Sequence, residues 1–207
     1  MTRGELKIRL LLNILEEISE RYDEILEENK KLLERLHKEA ITDQLTGLLN
    51  RKALLEELKK EIEKIKRHGK DNLCLCFVDM DFFKKINDTY GHAEGDKVLK
   101  EFAKILKSNV RVYDIVGRWG GDEFILGIIN CEHFSTTDTK VCKNCPIYER
   151  ISKNVRALGN KYSIPLNVSC GVAKIPSEVK DLEKALQLAD KRLYTAKRLG
   201  KGRVIVD

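Results

Sequence analysis

The stretch Arg118-Trp119-Gly120-Gly121-Asp122-Glu123-Phe124 decides how the rest of the chain is read. It separates two apolar, β-rich runs: Val110, Val112, Ile115 and Val116 before it, and Phe124, Ile125, Leu126, Ile128 and Ile129 after it. Two such runs around adjacent glycines predict a hairpin with a Gly-Gly turn. Asp122 and Glu123 then stand where the returning strand leaves the turn. Glycine tolerates positive φ and carries no side chain, so a ligand can approach the backbone where carboxylates are presented. That suits a metal-bound nucleotide, although an ordinary tight turn with solvated acids gives the same letters. The choice falls to a second acidic site.

That site ends the run Leu73-Cys74-Leu75-Cys76-Phe77-Val78-Asp79-Met80-Asp81, a short apolar stretch that predicts a buried central strand. Residues two apart on a strand face the same way, so Asp79 and Asp81 share a face. Carboxylate and carbonyl oxygens there suit a hard cation such as magnesium, and Lys84 adds a positive charge nearby. Gly91-His92-Ala93-Glu94-Gly95-Asp96 then leads into a helix with Val98, Leu99, Phe102, Ala103 and Leu106 on one face. Asn87 and Asp96, flanking a glycine-containing loop, are suited to reading a base edge by hydrogen bonds.

Working outward, 207 residues at 42% hydrophobic content allow one medium domain with a helical extension. Lys and Arg outnumber Asp and Glu by 39 to 33 but are interspersed with them, which favours solvated surface over a nucleic-acid groove. No run approaches the roughly 20 apolar residues of a membrane span, and no signal-peptide cleavage site follows the N-terminus. The expected location is the cytoplasm, where the six cysteines are thiols or metal ligands rather than disulfides.

Residues 1 to about 40 form a separate segment. Ile8, Leu11, Leu15, Ile18, Tyr22, Ile25, Asn29, Leu32 and Leu36 alternate spacings of three and four, a heptad seam that predicts a dimerising coiled coil with Asn29 at an a position. Leu12, Leu26 and Leu33 broaden the stripe, so a helix packed on its own domain is the alternative. A break follows, Thr42-Asp43-Gln44-Leu45-Thr46-Gly47-Leu48-Leu49-Asn50-Arg51, in which Asp43 and Arg51 are placed to pair. A helix from about Lys52 to His68 comes next.

Together these motifs resemble the GGDEF-domain diguanylate cyclases. Gly120 to Phe124 spell the signature, and the Asp79 to Asp88 run, the Gly91-His92 and Gly95-Asp96 pairs and the Asp43 to Arg51 segment also match. The resemblance implies an α+β fold, a nucleotidyl-cyclase or palm-like central, mainly antiparallel sheet flanked by helices, over residues 41–207. It implies condensation of two GTP molecules to cyclic di-GMP and two pyrophosphates across a homodimer. Asp79, the Met80 carbonyl and Asp122 would hold magnesium or manganese, with Asp122 also the base for the ribose 3′-hydroxyl and Glu123 supporting the metal. Asn87 and Asp96 would hold guanine, with His92 near the nucleoside. The Phe82 and Phe83 amides, Lys84 and Lys191 would face the triphosphate, and Thr195 stands where a second basic residue is expected, with Lys197 or Arg198 as the compensating charge. Arg111 and Asp114 resemble the family's inhibitory product site, an arginine fork and a carboxylate suited to phosphate and guanine. A nucleotide-binding relay module with little turnover is the competing function; intact Asp79, Asp122 and Lys84 speak against it.

One stretch departs from the family pattern. Within 130–146, Cys131-Glu132-His133 and Cys142-Lys143-Asn144-Cys145 place four soft ligands in two close pairs, resembling a Cys3His zinc site. Free surface thiols and a redox-switched disulfide are the alternatives. Pro146 suits the first turn of a following helix, while Cys74, Cys76 and Cys170 lie in apolar runs and are expected in the core. A strand over Leu166 to Ala173, a helix opened by Asp181 and a short strand from Val204 to Val206 close the chain.

Overall fold

The computed structural model describes residues 3–69, 72–131 and 145–206. The chain divides into two units, Met1–Ile41 and Thr42–Asp207. The first is a single helix, α1 (Arg3–Ile41), uninterrupted because neither Pro nor Gly occurs after Gly4. Leu11, Leu15, Ile18, Tyr22, Ile25, Leu32 and Leu36 along its seam are each 48–61% exposed.

The second unit is built on a five-stranded sheet of order β2-β3-β1-β4-β5. Its centre is β1 (Leu73–Asp81), antiparallel to β3 (Glu123–Ile129) on one side and β4 (Asn167–Ile175) on the other. The strand β2 (Ile115–Gly120) pairs antiparallel with β3, and only β5 (Val204–Ile205) runs parallel to its neighbour. The sheet is therefore mainly antiparallel and flanked by helices, as the sequence implied.

Alternate residues of β1 feed two cores. Leu73, Leu75 and Phe77 pack with Leu54, Leu58, Ile62 and Ile65 of α2 (Arg51–His68) and Ala185, Ala189 and Leu193 of α6 (Leu182–Arg198). Cys74, Val78 and Met80 pack on the opposite face with α3 (Phe83–Tyr90), α4 (His92–Ser108) and α5 (Pro146–Asn160). The approach of α6 is close: a Cβ at Gly171 would collide with the Ala189 carbonyl and Leu193 amide. Two helix starts carry side-chain caps, Asn50 accepting from the Ala53 amide at 3.0 Å and, as expected, Asp181 from the Lys184 amide at 2.9 Å.

Four local expectations change. The hairpin pairs Gly120 with Glu123, so its loop is Gly121-Asp122 rather than Gly-Gly; an irregularity between Arg118 and Gly120 shifts the register. Val110 and Val112 precede the strand instead of joining it, because the Asp114 carboxylate accepts from the Arg111 amide at 2.8 Å and folds the segment into a turn. Asn87 and Asp96 stand on α3 and α4, which are joined by Gly91 alone at φ 84°. Asp43 pairs with Arg118 at 3.1 Å, whereas Arg51 stacks 4.0 Å above the Trp119 ring.

Candidate active site

The acidic residues meet because β1 and the signature hairpin are neighbours. Asp79 lies opposite Glu123 in the register, and the Met80 amide donates to the Asp122 carbonyl at 3.4 Å. The turn bearing Asp122 is held from behind by Arg118, whose Nε and Nη2 donate to the Gly121 carbonyl at 3.0 and 2.9 Å while Nη1 reaches Asp43. That links the segment after α1 directly to the signature. Burial alone would raise the Asp43 carboxyl, but bonds from Thr46 and Arg118 hold it below its ordinary value.

Asp79 is 4% exposed, so its charge needs compensation. The compensating group is Lys197, whose Nζ lies 2.6 Å from Asp79 Oδ2. Burial still pushes the Asp79 carboxyl up to about 6, aided by the Asp122 charge and opposed by Lys197. Glu123 is raised by burial, and further by the Asp122 charge, against Lys197. For Lys197, burial acts downward, but its bond to Asp79 and the charges of Asp122 and Glu123 raise it overall. The Asp122 carboxylate is near enough to shift those of Asp79 and Glu123, with the Lys197 ammonium among them, and the hard oxygens of all three are of the type a divalent cation prefers. Among the described residues no three His, Cys, Asp or Glu side chains converge on one metal position; the expected magnesium set itself has two carboxylates and a backbone carbonyl.

From the sequence, Lys191 is the expected phosphate lysine, with Lys197 or Arg198 only as a substitute for the basic residue missing at Thr195. Lys191 is exposed, whereas Ala185, Ala189 and Leu193 form an inward stripe at every fourth residue that Lys197 continues. That periodicity was the available signal. Thr195, considered as a phosphate position, instead donates its hydroxyl to the Lys191 carbonyl at 3.0 Å. The basic residue four positions after Lys197 is Lys201, whose Nζ lies 4.2 Å from the Phe82 ring.

The two residues expected to read guanine stand on helices that pack against each other. The Asn87 Oδ1 is buried without a hydrogen-bond partner among the described residues, and a Cβ at Gly95 would collide with it. Gly95, next to Asp96 in sequence, thus lets α4 pack on an unsatisfied amide acceptor, and such an acceptor calls for a ligand donor. Lys84 is exposed in the first turn of α3 and His92 exposed at the start of α4. Phe82 takes φ 66°, turning the chain sharply between β1 and α3. Arg111 and Asp114 lie apart from these acids, before β2. Asp114 is occupied by the amides of Arg111 and Ile129 at 2.8 and 3.0 Å, and the exposed Arg111 donates to the Tyr113 hydroxyl at 2.8 Å.

On the opposite face of the sheet, Cys131 and Cys145 line one apolar cavity of about 40 Å³ together with Cys76 and Cys170. His133 and Cys142, the other proposed zinc ligands, lie outside the described residues. Cys74 and Cys170 are core residues, while Cys76 keeps accessible surface toward the cavity.

Residues 40–203 match the family of diguanylate cyclase GGDEF domains. The diguanylate cyclase DosC of Escherichia coli K12 is 36% identical over 205 residues, 99% of this chain and 42% of that protein. The response regulator PleD of Caulobacter vibrioides is 37% identical over 173 residues, 80% of this chain and 36% of PleD. The chain thus spans less than half the length of these curated relatives. Among solved structures, the coiled coil and GGDEF domain of DgcB from Caulobacter crescentus, in complex with c-di-GMP, superposes with TM-score 0.72 at 27% identity, covering 98% of this chain and 99% of that one. Diguanylate cyclase SiaD of Pseudomonas aeruginosa, crystallised with its activator SiaC, gives TM-score 0.70 at 33% identity over 98% of this chain and 75% of SiaD.

Proposed function

The chain belongs to the GGDEF diguanylate cyclase family, and from that premise we propose that it condenses two GTP molecules into cyclic di-GMP with release of two pyrophosphates. The observation that carries this reading is the meeting of Asp79, Asp122 and Glu123 with Lys197 beside the signature turn. In it, residues 41–207 are the catalytic domain and 1–40 a dimerising stalk.

Asp79, the Met80 carbonyl and Asp122 would hold magnesium or manganese, with Glu123 adding negative charge. The ion, when bound, supplies Lewis-acid polarisation of the phosphates and charge neutralisation. Asn87 and Asp96 accept from the guanine edge and fix the nucleotide, with His92 beside the nucleoside. Asp122 takes the proton of the ribose 3′-hydroxyl, whose oxygen bonds to the α-phosphorus of the second GTP as its bond to pyrophosphate breaks. The Phe82 and Phe83 amides, Lys84, Lys197 and Lys201 face the triphosphate, Lys197 in the role first assigned to Lys191. Positive charge there stabilises the departing pyrophosphate.

Each domain holds one GTP, so bond formation needs two domains face to face. The exposed seam of α1 supports pairing through the stalk, which sets the effective concentration of one half-site at the other. Arg111 and Asp114 would bind the product as a feedback inhibitor, with Asp114 shaping the turn that displays Arg111. No described helix is long and apolar enough to cross a membrane, and a GTP substrate supports a reaction in the cytoplasm.

The Cys/His loop is assigned to structural zinc, supported by the fold bringing Cys131 and Cys145 to one cavity although they flank the segment 132–144. Metal analysis that finds no zinc, together with unchanged stability after chelation, contradicts this assignment.

The cyclase itself is tested by incubating wild type and Asp122→Asn with GTP and magnesium and following cyclic di-GMP and pyrophosphate. Product from wild type alone supports the reading. No product from a folded wild-type dimer shifts the function to a nucleotide-binding relay module.

A further inference from the structure

The turn between α6 and β5 contains three successive residues at positive φ: Gly200 at 107°, Lys201 at 66° and Gly202 at 59°. Glycine adopts such angles freely, but lysine is strained there, and strain of this kind persists only where surrounding contacts over-determine the backbone. Those contacts converge on one buried carboxylate. Asp81 is 2% exposed and Ser169 0%. The Ser169 hydroxyl lies 2.8 Å from Asp81 Oδ1 and 2.9 Å from Oδ2, and the Gly202 amide donates to Oδ2 at 2.9 Å. The same amide is 3.2 Å from Ser169 Oγ, closing a three-member ring of hydrogen bonds. On either side of it, the Lys201 amide donates to the Ala196 carbonyl at 3.1 Å, and the Cys170 amide to the Arg203 carbonyl at 2.9 Å. A Cβ on Gly202 would collide with the Asn167 amide, so the turn presses directly against β4.

The position of this ring relates it to the substrate site. Asp81 immediately precedes Phe82, and Gly202 immediately follows Lys201. The ring therefore ties together the flanks of a single contact, the Lys201 ammonium 4.2 Å from the Phe82 ring. Burying a carboxylate is costly even when it is hydrogen-bonded, and a neutral residue would close a turn more cheaply. A charged acceptor holds an amide more firmly than a neutral one.

We infer that Asp81 and Ser169 are positioning residues that fix Lys201 over Phe82, so that its ammonium meets the triphosphate without reorganisation. The inference rests on the cyclase reading, since it presumes a triphosphate beside Phe82 and Phe83. Neither side chain touches substrate; both act through the Gly202 amide.

The test is calorimetric titration of the full chain, with magnesium, using a non-hydrolysable GTP analogue and, separately, GMP. Ser169→Ala is expected to weaken the analogue by about ten-fold while GMP affinity stays within about two-fold. Lys201→Met loses a similar factor, and adding Ser169→Ala to Lys201→Met costs nothing further, because the clamp has nothing left to position. If circular dichroism shows Ser169→Ala unfolded, the same comparison is read on the near-isosteric Asp81→Asn. Unchanged analogue affinity, equal losses for both ligands, or losses that multiply in the double variant overturn the inference while leaving the cyclase reading intact. A wild type that binds neither ligand overturns both.

Discussion

The two faces of the sheet put buried chemistry on alternate residues of the same strand. Toward α2 and α6, β1 presents Phe77, Asp79 and Asp81; toward α5 it presents Cys76 and Val78, beside Cys170 of β4 and the Cys131 and Cys145 that border the inserted loop. On the first face every buried acid has been given a partner, Lys197 for Asp79 and Ser169 with Gly202 for Asp81. On the second, Cys76, Cys145 and Cys170 line an apolar cavity. The Cys76 thiol is pushed up by its contact with Cys170 and by burial, and Cys145 by burial. The faces are similar in depth and differ in what the opposing element supplies. Lys197 on α6 opposes the effect of burial on the Asp79 carboxyl, whereas beside α5 contact with Cys170 and burial hold the Cys76 thiol, and burial the Cys145 thiol, above their ordinary range.

The comparison breaks most visibly in turnover. Asp122→Asn is expected to lower cyclic di-GMP formation by about 10³-fold or more, while Cys170→Ala on the thiol face leaves turnover per folded molecule within about three-fold. Comparable losses on both faces would remove the distinction. The largest stability effect should come from Gly171→Ala, since the added methyl meets backbone atoms of α6. A loss of about 3 kcal/mol in denaturant unfolding is expected, and a neutral result would mean that α6 can move away from β4.

A smaller effect, of opposite sign, tests the cost of the acid face. Asp79 has its carboxyl raised from 3.8 to about 6, so between those values the folded state holds a proton that the unfolded state has lost, and stability falls as pH rises through that window. In the metal-free protein, Asp79→Asn should therefore stabilise by about 2 kcal/mol at pH 7, with the gain vanishing below about pH 4. No gain at pH 7 would show that Lys197 already compensates the charge. Smaller again is Asp43→Asn. Hydrogen bonds outweigh burial and depress this carboxyl, so its contribution is present above its unfolded value and lost as pH falls below it. At neutral pH the variant should lose about 1 kcal/mol, shrinking in acid; a loss independent of pH would assign the effect to packing.

Much of this arrangement was readable from local chemistry. An apolar run closing on two acids marked β1, helical periodicity marked α1, α2, α4 and α6, and the signature marked the hairpin. Two of the misses depended on a partner remote in sequence. Asp43 was matched to the nearby Arg51, but its partner Arg118 lies on β2. The Asp81, Ser169 and Gly202 ring joins three separate segments, and no spacing announces it. Lys191 and Lys197 are equally basic residues of one helix. Lys197 continues the four-residue stripe of α6 and reaches Asp79 while Lys191 is exposed, and on that ground Lys197 is proposed for the phosphate role.

The central claim is that the chemistry sits where the buried acids meet Lys197, and the most direct measurement compares GTP turnover by Lys197→Met and Lys191→Met in one assay with saturating magnesium. Lys197→Met should lose about 100-fold in kcat/KM and Lys191→Met stay within about two-fold of wild type. A crippled Lys191→Met beside an active Lys197→Met would contradict the account.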